Sequence, residues 1–480
     1  MSETLHIPLY RAGKAYRSMN SQPLIDIRTG ESIGEMSQAH YAVIARDQRH
    51  QSRNQAALER MPVTELIDIT KRAADIFMKD ELPVGDGGAT QSPEDYLQQL
   101  AATAGLPVAM GQLNMEKIHG VMANIENVLE GLTRSLDLNV LDGGYGEVDG
   151  HLVSYQRQCD SLGGVLPNNS PGVHGLWVPA IALKMPLVLR PGSAEPWTPF
   201  RLAEAFFKAG CPREAFSLYP SDHSGTHEIL LRTHRSIFFG DKSTVERWNN
   251  RGGIQIHGPG WSKVIFGPDA AQNWQEHVDM IAASVVANGG RSCINCSGVW
   301  TSANGREIAA AIAEKLAKVD ASGLDDPEAG LAAFPNPDVA RAISDMVDDS
   351  LRDGTAEDMT AQFRDGDRVS EAGGCTFLRP TVIYTNDPDH PLARAEYIFP
   401  FVTVVEVPEE EVLSTIGPTL IGTVVSEDNA FRGAAMTNRH IDRLNLGPIP
   451  TYQISWDQPH EGNLFDHLYQ QRSFQLTKAS

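Results

Sequence analysis

Gly163-Gly164-Val165-Leu166-Pro167-Asn168-Asn169-Ser170-Pro171 opens the part of the chain whose reading decides the fold. Its first residues form a short apolar run closed by a proline, which reads as a buried strand. A helical pattern over 173–183 follows, then the strand Pro186-Leu187-Val188-Leu189-Arg190 and a helix over 198–209. The strand Glu214-Ala215-Phe216-Ser217-Leu218-Tyr219, a helix over 227–232 and the strand Ser236-Ile237-Phe238-Phe239-Gly240 repeat the alternation. Strands alternating with helices imply βαβ units and a parallel sheet covered on both faces, hence an α/β protein. A ligand of such a sheet binds at the carboxyl ends of its strands. No G-x-G-x-x-G follows any of these strands, so motif alone does not show a dinucleotide site.

On the N-terminal side, two short runs flank Thr29-Gly30 and read as a hairpin, and residues 38–125 are mainly helical. Leu66, Ile69, Ala73 and Ile76 fall at helix spacing, as do Tyr96, Leu97, Leu100 and Thr103, and Gly105-Leu106-Pro107 punctuates. A Gly-rich segment, 142–150, leads into a strand candidate at 151–155. On the C-terminal side, Lys263-Val264-Ile265-Phe266 begins a second alternating region. It holds an apolar helix over 280–287, the strand Gly298-Val299-Trp300-Thr301 and a helix over 305–316. Residues 320–366 are acidic and Ala-rich, read as surface helices and loops, and Phe474-Gln475-Leu476-Thr477 reads as a last strand.

The 480 residues suffice for two or three domains with large cores. Lys plus Arg is 40 against 61 Asp plus Glu, a net charge of −21 that argues against nucleic acid and anionic membrane as partners. No secretory signal and no transmembrane run is visible. Five cysteines do not make a disulfide framework, so a reducing cytoplasm is expected.

Chemistry concentrates in Ala287-Asn288-Gly289-Gly290-Arg291-Ser292-Cys293-Ile294-Asn295-Cys296. A cysteine just after a glycine pair, near exposed backbone N–H groups, can have its thiolate stabilised and act as a nucleophile. Three other readings stand beside this one: a buried core cysteine, a zinc ligand or a C-x-x-C dithiol with Cys296. Zinc would need two further ligands, and Cys159, Cys211 and Cys375 are isolated from one another; no metal site is expected.

In these segments, in order from about Leu24 to the C-terminus, the chain resembles the NAD(P)-dependent aldehyde dehydrogenase superfamily. The resemblance implies a Rossmann-type cofactor domain (1–139 and 158–262) and an α/β catalytic domain (263–450). It also implies a small β oligomerisation element (140–157 and 451–480), and with it a homodimer or homotetramer. Gly290-Arg291-Ser292-Cys293 is similar to the family's Gly-Gln-x-Cys, which makes Cys293 the nucleophile that carries a thiohemiacetal and then a thioester. Pro167-Asn168-Asn169-Ser170-Pro171 is similar to Pro-x-Asn-x-Pro, which makes the Asn169 amide the oxyanion donor. Leu166, Pro167, Arg190, Gly192, Ser193, Gly240, Lys242, Ser243, Glu396 and Phe399 take the positions of cofactor contacts. Arg190 stands where the family has Lys, and Ser193 where a Glu usually binds the ribose, so NADP is as well supported as NAD.

Two departures bear on the reaction. Hydrolytic members carry a Glu that activates the deacylating water; here Gln255 takes its place in Ile254-Gln255-Ile256-His257-Gly258-Pro259-Gly260. Gln cannot accept a proton. His257 could titrate near neutrality, and shares a face with Gln255 only if the strand continues to it. In Glu396-Tyr397-Ile398-Phe399-Pro400, the acidic residue lies one position early against the family's Glu-x-Phe-Gly-Pro, and a one-residue offset reverses a strand side chain. Without a base at 255, the expected reaction interconverts an aldehyde and an acyl thioester, with coenzyme A as co-substrate. Asn169-Ser170-Pro171-Gly172-Val173-His174 and the Gly290-Arg291-Ser292-Cys293 variant also resemble the acyl-thioester reductase branch, which includes the fatty acyl reductases of bacterial luminescence. Alternatives are a hydrolytic enzyme with a non-standard base such as His257, and a non-catalytic relative that binds only. Trp177, Phe465 and Tyr469 either line an apolar tunnel or pack a core, and 459–465 has no assignment.

Overall fold

The computed structural model describes residues 5–240, 247–248 and 251–477. Two seven-stranded sheets organise it. In the first, the parallel strands run in the order Ile254–His257, His234–Phe239, Ser161–Val165, Leu187–Arg190, Phe216–Leu218. An antiparallel hairpin, Leu9–Arg11 with Lys14–Tyr16, extends that edge. The alternation seen in the sequence is therefore a doubly covered parallel sheet. The strand Ser161–Val165 is wholly buried, so its apolar run has no polar face to alternate with. Pairing Gly163 with Val188 and with Ser236 puts Leu166 to Pro171 at the carboxyl end of the sheet's centre.

The second sheet runs Ala356–Asp358, Thr381–Thr385, Phe401–Glu406, Cys296–Thr301, Ser262–Phe266, Thr419–Val425, Ile441–Leu446, all parallel except the first. The helix Gly305–Leu316 packs on it through Ile308, Ile312 and Leu316, at the spacing of one helical face. A third, antiparallel sheet joins Tyr145–Val148, His151–Arg157 and Tyr469–Gln471. Helices over 41–133 cover the first sheet. Val63–Lys79 buries Leu66, Ile69 and Ala73, and Pro93–Ala104 starts on a Ser92–Asp95 capping box and stops at Gly105, whose φ is +70°.

Two elements differ from the reading of the sequence. The helix expected over 173–183 is broken into a 3₁₀ segment, Pro171–Leu176, and one α turn, Pro179–Ala182. Pro179 lacks the N–H that a continuous helix would need and starts a new turn instead. The last strand is Tyr469–Gln471, not 474–477. The tail leaves the sheet after Arg472 N–H bonds the Ser154 carbonyl, and Phe474 stacks on Tyr145 at 4.9 Å. No helix among the described residues is long and apolar enough to cross a membrane.

Candidate active site

Two hollows meet at Cys293. One is a cleft of about 1000 Å³ at the carboxyl ends of the first sheet's strands. Leu166, Pro167, Asn169, Arg190, Gly240, His257, Cys293 and Glu396 are among its lining residues. The other is a cavity of about 90 Å³, mostly apolar, walled by Val121, Val128, Leu132, Leu176, Ile454 and Trp456. Four residues line both: Val173, His257, Ser292 and Cys293.

The Cys293 loop is fixed from both sides. After the helix Val278–Val286 the backbone turns through Asn288, Gly289 and Gly290 at φ 51°, 63° and 72°. A side chain at Gly290 would strike the Phe399–Pro400 backbone, so this position needs glycine for its conformation and its space. The Asn295 side chain accepts from Ser292 N–H (2.8 Å) and donates to the Ala287 carbonyl (2.8 Å), closing the loop around Cys293. Asn288 donates to the hydroxyls of Ser170 and Ser292, and Asn114 donates to Asn288 at 2.6 Å. This network ties the Cys293 loop to the turn that carries Asn169. The Asn169 amide donates to the Arg291 carbonyl at 2.7 Å, and an amide nitrogen has a second hydrogen to offer. The buried Arg291 guanidinium donates to the carbonyls of Ala104 and Ala333, joining the loop to the helical layer, and burial pushes it down to about 10.

Cys293 is half-buried, whereas Cys296 lies wholly inside the second sheet with its thiol 3.2 Å from the Gly298 carbonyl. The thiolate stabilisation expected from nearby N–H groups is outweighed. Burial first, then Glu461 and Glu396, push the Cys293 thiol well above its ordinary range, against Lys117, which lowers it. The resting thiol is neutral at pH 7 and needs a base to become a nucleophile.

The strand Ile254–His257 does continue to His257, so Gln255 and His257 share a face, and both line the apolar cavity. The Gln255 amide donates to the Glu461 carbonyl at 2.7 Å. His257 is buried, stacked on Phe239 at 4.7 Å, with Nδ1 2.7 Å from Glu461 Oε2. Nearby, burial holds the Lys117 ammonium down at about 8, and burial with Lys117 and Arg443 keeps His460 far below its ordinary value. On the cleft side Glu396 accepts from Gly260 N–H (3.0 Å) and Trp261 N–H (2.5 Å); burial nonetheless raises it to about 7.

Not every expected cofactor position faces the cleft. Gly192 packs against the Asn168 side chain, and Ser193 lies beside it outside the cleft lining. Phe399 is 2% exposed and packs with Tyr397 and Phe401, while Tyr397 and Ile398 line the cleft in its place. Lys242 and Ser243 lie outside the described residues. Trp177, Phe465 and Tyr469 are buried core residues, and none lines the cavity. Sequence reasoning missed Lys117, Trp456 and His460, and on the cleft His223, His227, Arg247, Trp248 and Arg251. They come from four segments: Lys117; His223 and His227, one turn apart on the helix His223–Arg232; Arg247, Trp248 and Arg251; and Trp456 with His460. Only the His223/His227 spacing is a local signal, and nothing in the sequence joins one segment to another.

The aldehyde dehydrogenase family's model matches residues 16–416. Malonate-semialdehyde dehydrogenase of Bacillus subtilis is 25% identical over 272 residues, 54% of each chain. Alpha-ketoglutarate semialdehyde dehydrogenase of Haloferax volcanii is 23% identical over 340 residues, 66% of each. The chain thus spans about half the length of the first of these relatives. Among solved structures, P. syringae AldA indole-3-acetaldehyde dehydrogenase, in complex with NAD+, superposes with a TM-score of 0.77 at 15% identity, over 98% of this chain and 97% of that one. Aldehyde dehydrogenase 21 of Physcomitrella patens gives 0.76 at 16%, over 98% of each. The fold is shared from end to end and the family model covers most of the sequence: this chain belongs to the aldehyde dehydrogenase family.

Proposed function

We propose that this chain is an NAD(P)-dependent oxidoreductase that interconverts an apolar aldehyde and an acyl thioester, the acyl group being carried on Cys293. The observation that carries this reading is the position of Cys293, in the lining of both the apolar cavity and the cleft. A nucleophile at that junction can hold a carbonyl carbon with its substituent in the cavity and its transferable hydrogen toward the cleft. The free hydrogen of the Asn169 amide supports its role as oxyanion donor. The cavity is smaller than the ~150 Å³ that holds benzene, so it suits a short alkyl substituent rather than a bulky ring.

The cleft fits a dinucleotide by its place at the strand ends and by its charge. Arg190, His223, His227, Arg247 and Arg251 line it, and Glu396 is its only lining carboxylate among the described residues. That balance supports NADP at least as well as NAD, since a 2′-phosphate is recognised by guanidinium groups. Leu166, Pro167, Arg190, Gly240 and Glu396 are the residues that would hold the cofactor, and when bound it supplies the hydride acceptor. The structural core of the cleft also weighs against a binding-only relative, because the Cys293 loop is built into it.

Coenzyme A is the acyl acceptor that Gln255 supports: a thiol needs less activation than water, and position 255 offers no base. Hydrolysis to the acid is the second reading, favoured by the His257–Glu461 contact beside Cys293. NAD(P)H formation from hexanal, with each cofactor and with coenzyme A present or absent, separates the two; full-rate turnover without a thiol would sink the acylating reading. We further propose a homodimer or homotetramer built on the three-stranded sheet, which exposes Tyr145 and Val148 on its edge strand and Leu152 on its middle strand. Light scattering on the purified protein tests it, and a monomer would contradict it.

A further inference from the structure

We propose that His257, oriented by Glu461, is the general base that takes the proton from the acyl acceptor when the Cys293 thioester is released. This rests on Cys293 being the acyl carrier. The first support is place: of the four residues common to the cavity and the cleft, Cys293 holds the acyl group, Val173 and Ser292 carry no basic nitrogen or carboxylate, and His257 is the one with a lone pair suited to accept a proton.

The second support is the condition of the ring. His257 is 4% exposed, yet neither ring nitrogen makes a directed hydrogen bond. A buried polar group left unpaired costs stability, and active sites are where such groups are kept. The contact with Glu461 is short, 2.7 Å, but not aligned; a small ring rotation over Phe239 would bring Nδ1–H onto the carboxylate. Nε2 would then be left as the acceptor, the tautomer a base requires.

The third support is the strut that places Glu461. Its segment has no regular structure, and it is held by the Gln255 amide on the Glu461 carbonyl. Gly462, at φ +68°, lies against that amide, where any side chain would collide with it. Gln255 is thus a positioning residue: it has no proton-accepting capacity of its own, and it sets the carboxylate that orients His257. The other titratable or charged groups near the ring are Lys117 and His460 on the cavity wall, Arg443 behind His460, His467, and Glu396 on the cleft. None of these lines both hollows.

Nε2 takes the proton of H–X, where X is hydroxide oxygen or a coenzyme A sulfur, as X attacks the acyl carbon. The tetrahedral centre collapses with cleavage of the C–S bond, whose electron pair stays on Cys293. The imidazolium proton then returns to the Cys293 thiolate, restoring both groups.

The test is stopped-flow NAD(P)H formation by the full-length protein with hexanal, using wild type, His257→Asn and Glu461→Gln, with water alone, with coenzyme A and with hydroxylamine. In the acceptor arm that sustains the wild type, His257→Asn should keep a burst of about one equivalent and lose at least ~10²-fold in the steady state. Hydroxylamine, which needs no base, should restore turnover of that variant and yield the hydroxamate. Glu461→Gln should lose ~10-fold with the same rescue. Steady-state rates of His257→Asn within threefold of wild type in both acceptor arms would overturn the proposal. So would a folded His257→Asn variant, judged by its thermal transition, that has no burst and no rescue. A wild type that forms NAD(P)H but no burst-linked Cys293 adduct would instead overturn the acyl-carrier reading beneath it.

Discussion

The cofactor cleft and the apolar cavity share one wall but are built differently. The cleft is made by backbone order: Leu166, Arg190, Gly240 and Gly258 all sit at or just past the carboxyl ends of neighbouring parallel strands. The cavity is made by side chains from a helix face, a broken helix and an irregular segment near the C-terminus: Lys117 and Val121, Leu176 and Pro179, Ile454 to Gly462. A hollow set by strand ends is common to every chain with that sheet. A hollow set by loops and a helix face belongs to one chain, which is why substrate and acyl acceptor should be decided there.

The largest effect that could break this division comes from the shared wall. Cys293→Ala should abolish NAD(P)H formation by more than ~10³-fold, whereas Cys296→Ala should change initial rates by less than about threefold, its thiol being turned into the sheet. Asn169→Ala should cost ~10² to 10³ in kcat/KM with little change in cofactor affinity, measured by initial rates and titration. Next come changes confined to one hollow. Arg247→Ala should raise the KM for NADP by ~10-fold while leaving that for NAD and the aldehyde preference unchanged. Trp456→Ala should do the reverse, raising the octanal-to-hexanal ratio of kcat/KM by ~10-fold with both cofactor constants intact. A cleft variant that changed chain-length preference would show the two hollows to be coupled.

The smallest effect concerns stability. Burial holds Lys117 at about 8 against an ordinary 10.5, so the folded protein binds fewer protons than the unfolded chain between those values. Stability contributed by this site therefore rises with pH across that window, and below it the fold bears the cost of a buried ammonium. Lys117→Met should raise the thermal transition at pH 7, by about 1–3 kcal/mol equivalent, with the gain fading above pH 10. A gain independent of pH would point to packing alone.

The same contrast explains what could be read in the amino-acid sequence. The strands, the Asn169 turn and the Cys293 loop were legible because each is local: apolar runs of fixed period, prolines bracketing a turn, glycines before a cysteine. The cavity was not, because its members meet only in the fold. Gln255 and Glu461 are 206 positions apart, and nothing in Pro459-His460-Glu461-Gly462 announces a carboxylate beside His257. The absence of a base at 255 and the candidate at His257 were both readable; the Glu461 carboxylate beside that ring was not. The apolar spacing over 173–183 predicts an unbroken helix that Pro179 interrupts, and Phe474 favours a strand as much as Tyr469, five residues before it, where the strand forms. Phe399 shows a limit of matching by position: it sits in register with a cofactor contact but turns into the core.

The central claim is that Cys293 carries the acyl group between the two hollows. Its most direct test is mass spectrometry of the protein quenched in acid during turnover of hexanal with NADP+, with fragmentation of the tryptic peptide 292–306, which holds both Cys293 and Cys296. The account predicts a single hexanoyl adduct on Cys293, absent without cofactor. An adduct on Cys296, or NADPH formed with no adduct on either thiol in wild type and in His257→Asn alike, would contradict it.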